Sequence, residues 1–162
     1  MMKKFLCTVF AVFAVMTAAV GNIFPASRTD IDGVTRSGYL DEEGRTVLPF
    51  AYASAGEFAP CGLAAVEDEK WQTAVIDREG KLIVDYTESP VSVDFSDSMI
   101  AYRYADHSVY YTLSGTKLGS YPGAEGFFED GLLLCRNAQT GRYSFVKEDG
   151  TAAFAAEYAA AG

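Results

Sequence analysis

The chain has 162 residues, 22 acidic and 13 basic side chains, and a formal net charge of −9. That length fits one domain or one repeat array. The acidic balance argues against nucleic acid or an anionic lipid surface as a partner and accords with a soluble chain.

At the N-terminus, Lys3 and Lys4 precede an uncharged run over 5–20, with small residues at Ala18, Ala19 and Gly21. A basic start, a short apolar run and small residues describe a secretory signal peptide, here 1–21, cleaved after Ala19 or Gly21. Asn22 and Pro25 end the run short of the ~20 residues of a spanning helix, so a membrane enters only if the segment stays uncleaved. Cys7 lies too early to follow a full apolar run as a lipoprotein cysteine. The expected location is secreted or extracytoplasmic, at a cell surface or in a periplasm. Removing 1–21 takes away two lysines and no acid, which leaves a charge of about −11. Residues 22–36 are polar and contain Pro25 and Gly33, which predicts a flexible lead-in.

From 37 onward the chain repeats itself. Gly38-Tyr39-Leu40-Asp41-Glu42-Glu43-Gly44 returns as Ala74-Val75-Ile76-Asp77-Arg78-Glu79-Gly80, again from Val109 to Gly115, and again from Ser144 to Gly150. The closing glycines lie 36, 35 and 35 residues apart. A fixed period in this range marks a repeat architecture. Each copy opens as a hairpin, in which glycine supplies the positive φ of the turn and aspartate bonds local amides. Pro49 is expected to end the returning strand, because proline cannot donate to a ladder. After a loop, Phe58 anchors a third strand over 62–67, and Asp68-Glu69-Lys70 turns the chain into the next copy. The third strand recurs over 98–103 and 131–136.

Side chains alternate along a strand. One face of the third strand carries Ala64 and Val66, then Ile100 and Tyr102, then Leu133 and Cys135, apolar in every copy and so expected to be core. The other face starts apolar and ends charged, at Glu67, Arg103 and Arg136. In the hairpins, Tyr39, Val75, Tyr110 and Phe145 form one column, and Leu40, Ile76, Tyr111 and Val146 its neighbour on the opposite face. Apolar residues on both faces mean cover on both sides, which stacked repeats supply. The predicted fold is all-β: tandem three-stranded antiparallel repeats of about 35 residues, over 37–162, in an open or partial propeller-like or solenoid array. Cys135 falls in a core column, which predicts a buried free thiol rather than a bond to Cys61.

The pattern resembles the WG-repeat family of bacterial proteins. Its unit is similar to Gly38, Tyr39, Leu40, Asp41 and Gly44, then Pro49, Tyr52 and Phe58, then Gly62-Leu63-Ala64-Ala65-Val66, with Phe128 and Gly131-Leu132 matching the end again. The resemblance covers about 36–162. The family's Trp column holds Ser37, Thr73, Ser108 and Tyr143, and the single tryptophan, Trp71, lies two residues before its column, where it is expected to fill the same space. The resemblance implies an all-β binding or surface module and carries over no catalytic or ligand residues.

Catalytic and metal-binding patterns are weak. His107, the one histidine, is expected in a solvated turn rather than in a Ser-His-Asp site. Acidic hairpin tips such as Asp41-Glu42-Glu43 lack the alternating spacing of a calcium loop. No cofactor is expected. Among ten tyrosines, Tyr102 and Tyr110 sit in core columns, which leaves Tyr104 and Tyr121 as candidate contact residues. The last copy ends in an alanine-rich tail that predicts an open strand edge near 151–155, with Phe154 as a contact residue. The reading is an exported, non-enzymatic module. Its expected partner is a protein or cell-surface polymer, with self-association through the C-terminal edge as a further interaction. The alternatives are an extracytoplasmic glycan hydrolase and a remnant of a longer repeat protein.

Overall fold

An aspartate at the head of each early hairpin turn organises the backbone around it. The Oδ1 atom of Asp41 accepts from the amides of Glu43 at 3.1 Å and Arg45 at 2.8 Å. Asp30, Asp68 and Asp77 do the same to the residues two and four positions on. In each turn the amide three residues on donates to the aspartate carbonyl, from Gly33, Gly44, Trp71 and Gly80. The short acidic side chain thus replaces ladder bonds that a tight turn cannot make.

These turns connect fourteen strands in a computed structural model that describes residues 21–159. Apart from Gly21, the expected signal peptide lies outside the described residues. Sheet 1 is β1 (Ile23–Thr29), β2 (Thr35–Asp41) and β3 (Thr46–Tyr52). Sheet 2 is β4 (Ser54–Ala55), β5 (Ala64–Glu67), β6 (Thr73–Ile76) and β7 (Leu82–Thr87). Sheet 3 is β8 (Ser92–Phe95), β9 (Met99–Arg103), β10 (His107–Thr112) and β11 (Lys117–Pro122). Sheet 4 is β12 (Ala124–Glu129), β13 (Leu132–Arg136) and β14 (Tyr143–Lys147). All pairs are antiparallel between chain neighbours. Among the described residues none is helical and no sheet closes into a barrel.

The sheets pack in chain order through three apolar cores. Tyr39 and Leu48 of sheet 1 meet Ala64, Val66, Ala74 and Ile76 of sheet 2. Val75 and Val84 of sheet 2 meet Ile100, Tyr102 and Val109 of sheet 3. Ala101, Tyr110 and Tyr121 of sheet 3 meet Leu133 and Cys135 of sheet 4. Each inner sheet therefore turns one face back to its predecessor and the other forward to its successor, as the column alternation requires. Burying one such side chain contributes about 1.5–3 kcal/mol, so the three seams carry most of the fold's stabilisation. The expected core columns Ala64/Val66, Ile100/Tyr102 and Leu133/Cys135 are buried in all three copies. Cys135 and the half-buried Cys61 are free thiols.

Four expectations are corrected. Residues 23–29, within the expected lead-in 22–36, form β1 and pair residue for residue with β2 from Ile23↔Asp41 to Thr29↔Thr35. Its second half is polar at the sheet edge, where Ser27, Arg28 and Thr29 are exposed. Pro49 does not end its strand. β3 runs on to Tyr52 through a register shift between Ser37 and Tyr39, and an edge bulge tolerates a residue with no N–H. The repeats are not uniformly three-stranded, since sheets 2 and 3 have four strands and the loop before Phe58 contains β4. Trp71 does not fill the family's Trp column. It takes the glycine slot of its turn at φ +61 and is 66% exposed.

Residues 151–158 run back along β14 as the outermost segment of sheet 4. The Ala153 amide donates to Phe145 at 2.8 Å, and Tyr143 and Tyr158 exchange both backbone bonds. The inner side of the expected open edge is thus paired with the chain's own last strand.

Candidate functional site

The most heavily built polar centre lies at the seam of sheets 3 and 4. Arg103 ends β9, where the alternating face becomes charged. Its Nε donates to Asp94 Oδ2 at 2.9 Å, and Nη1 donates to Ser108 Oγ at 3.2 Å and Tyr110 Oη at 2.7 Å. Nη2 crosses the seam to the Gly126 carbonyl at 2.6 Å, which also accepts from the Tyr110 hydroxyl at 2.6 Å. The guanidinium lies 5.3 Å from the ring centres of Tyr110 and Phe127. With its fork turned to four partners and two rings, Arg103 acts as a clamp between sheets. Nothing in its sequence position beyond a charge at the end of an apolar strand announces this role.

Sheets 3 and 4 also line an open cleft of about 500 Å³, with Asp106, Tyr121, Cys135, Arg136, Ser144 and Glu157 among its walls. A shallower depression of about 330 Å³ shares Asp106 and Arg136 and adds Tyr104, His107 and Glu125. His107 begins β10, half-buried, with its ring stacked on Tyr104 at 4.7 Å and 9°. Its Nδ1 is 2.7 Å from Asp106 Oδ1, and this hydrogen bond holds the Asp106 carboxyl below its usual value. The neighbouring Ser108 is buried and bonded to Arg103, on the opposite face of the strand from His107. Ser108 is therefore engaged by Arg103 and is not the partner of His107. Burial, with Glu125 as a lesser cause, pushes the Cys135 thiol up and keeps it from being a reactive thiolate.

The three expected contact residues fare differently. Tyr104 is half-buried, stacked on His107, and donates its hydroxyl to the Glu88 carbonyl at 3.1 Å. Tyr121 is corrected from contact residue to core. It is 4% exposed, packs edge-on against Tyr110 and Phe128, and donates to the Glu148 carbonyl. The alternation of β11 places it opposite Ser108, on the face that sheet 4 covers. Phe154 is 51% exposed, its ring edge-on to Phe145.

Trp71 is the surface residue that sequence reasoning misplaced. An indole on a positive-φ backbone is strained, and its carbonyl accepts from the Ser89 hydroxyl, which ties the turn to the chain beyond β7. The signal was available in the Asp-x-x-Gly spacing of the turns, since Asp68 predicts a glycine at 71. The side chain stands on the tip between β5 and β6, next to Glu69, which Arg36 of sheet 1 holds at 2.7 Å.

Residues 38–71 match the family model for the WG containing repeat. No curated protein matches the chain. The matched stretch begins in β2 and ends after β5, so it takes two strands from sheet 1 and two from sheet 2. A unit shared in this way buries its apolar faces only against neighbours, as stacked repeats do. Over residues 38–71 the chain is thus similar to the WG containing repeat, in a unit that straddles the first seam.

Proposed function

We propose that the protein is an exported, non-enzymatic β-repeat module that binds another protein or a cell-surface polymer. The observation that carries this reading is Trp71. A large aromatic side chain stands two-thirds exposed at a position whose backbone favours glycine. Strain of this kind persists where surrounding structure holds it in place, and tryptophan is enriched at contact surfaces. Phe154, in the last segment of sheet 4, is a further exposed aromatic side chain. Export rests on the basic and apolar N-terminus, and no cofactor enters this reading.

The test is binding of the purified protein to envelope proteins and insoluble wall polymer, followed by cosedimentation and cross-linking. Saturable retention by the native chain, reduced at least tenfold by Trp71→Gly, is the expected result. Release of reducing sugar from wall polymer, abolished by Asp106→Ala or Glu157→Ala, would replace the binding module with a glycan hydrolase.

A further inference from the structure

Among the described residues the first and last sheets are unlike, and their outer faces complement each other. The register of sheet 1 puts Phe24 opposite Leu40 and Ala26 opposite Gly38 on its backward face. In sheet 2 the same places are Ala64 opposite Ile76 and Val66 opposite Ala74. In sheet 3 they are Ile100 opposite Tyr111 and Tyr102 opposite Val109, and in sheet 4 Leu133 opposite Val146 and Cys135 opposite Ser144. In sheets 2, 3 and 4 the first two columns are buried against the preceding sheet. In sheet 1 the matching residue Phe24 is 51% exposed, with Arg28 lying over Phe50 at 4.6 Å.

The forward faces show the converse. Tyr39, Val75 and Tyr110 are fully buried under the next sheet. Their counterpart in sheet 4, Phe145, is half-buried, and beside it stand Leu134, Phe154 and Tyr158. Phe154 is 51% and Tyr158 46% exposed. The rings of Phe154 and Tyr158 lie edge-on to Phe145 at 6.1 and 6.3 Å.

We infer that a second copy of this chain docks head to tail, the Phe24 face of its sheet 1 on the Phe145 face of sheet 4. The three internal seams already use this pairing of a backward face with a forward face, so the contact continues an interface the chain makes three times. A second copy presents the missing face in the same chemistry and the same strand geometry. The contact is heterologous: the surface patches on the two partners differ. Two copies close a ring of eight sheets if the rotation closes, a number within the range of β-propellers, and otherwise extend as a filament. The inference rests on sheet packing and stands or falls independently of the partner that Trp71 serves.

Light scattering after size exclusion, on the full chain over a concentration series, tests it. The native chain is expected to gain mass with concentration, from monomer to at least twice the monomer mass. Phe24→Lys blocks the head and Phe154→Lys blocks the tail, so each alone is expected to stay monomeric. Mixed in equal amounts, they are expected to form a one-to-one dimer, because the first variant keeps its tail and the second its head. Leu40→Lys and Tyr158→Lys repeat the pair, with circular dichroism establishing that each variant is folded. A native chain that is monomeric throughout overturns the inference, whether residues 1–20 or nothing covers the Phe24 face. So does association of either blocked variant on its own, which would mean a like-with-like contact, or failure of the mixture to dimerise.

Discussion

The hydroxyl of Tyr39 crosses the first seam and donates to the carbonyl of Gly56 at 2.8 Å. Two sheets later, Tyr110 in the same column donates to Gly126 at 2.6 Å. The column therefore does two things: the ring fills the core and the hydroxyl ties one sheet to the chain that opens the next. Such a part-buried hydrogen bond contributes about 1 kcal/mol net.

Tyr39→Phe is accordingly expected to lower unfolding stability by about 1 kcal/mol. Tyr102→Phe is expected to be neutral or stabilising by up to about 1 kcal/mol, because the Tyr102 hydroxyl is buried with no hydrogen-bond partner among the described residues. Urea denaturation of the two variants checks the contrast. An unchanged midpoint for Tyr39→Phe would mean that the Gly56 bond carries nothing.

Glycines in equivalent turns are under different constraints. Gly44 and Gly115 both have positive φ, +79 and +86. A Cβ on Gly44 meets nothing within 4 Å, whereas on Gly115 it would lie 1.8 Å from the Ile83 carbonyl oxygen of sheet 2. Gly44→Ala is expected to cost about 1 kcal/mol, from φ alone. Gly115→Ala is expected to cost about 3 kcal/mol or more, since the hairpin tip must leave sheet 2. Thermal unfolding of both variants separates the two terms.

Much of this was legible in the sequence, and the gaps have physical causes. The 35-residue spacing and the apolar columns mark the strands that are covered on both faces, because there the alternation has apolar residues to show. β1 escapes notice because an edge strand with exposed Ser27, Arg28 and Thr29 has the composition of a loop. Tyr121 was misjudged because β11 lies outside the repeated columns and its face is set by a register shift at Tyr110/Tyr111. Arg103 reads as a surface charge, and only the tertiary approach of β12 turns it into a clamp.

Trp71 offers a test of stored strain. Trp71→Gly restores the residue that the other turns place there, and stability is expected to rise by about 1 kcal/mol while partner binding falls. Denaturant midpoints alongside the retention assay measure both. A stability loss would mean the indole packs into the fold instead.

Burial is the largest cause that raises the phenol pKa of Tyr39, Tyr52, Tyr86, Tyr102, Tyr110, Tyr111 and Tyr121. A raised folded-state value means the folded chain keeps its protons longer than the unfolded one. That stabilisation is fully present below about pH 10, the ordinary phenol value, and is lost as pH rises above it. Tyrosinate absorbance is expected to appear together with unfolding above that pH. Ionisation of all ten tyrosines near pH 10 in a chain that stays folded would contradict the buried columns.

The most direct measurement of the central claim, that strand alternation assigns each column to a seam, is unfolding of two neighbouring variants in β5. Val66 is buried between sheets 1 and 2, and Glu67 is next along on the other face. Val66→Asp places an unpaired charge in the first seam and is expected to cost about 3 kcal/mol or more. Glu67→Ala is expected to change stability by less than about 0.5 kcal/mol. Equal effects at the two positions, or the larger loss at Glu67, would contradict the register on which the stacked repeat rests.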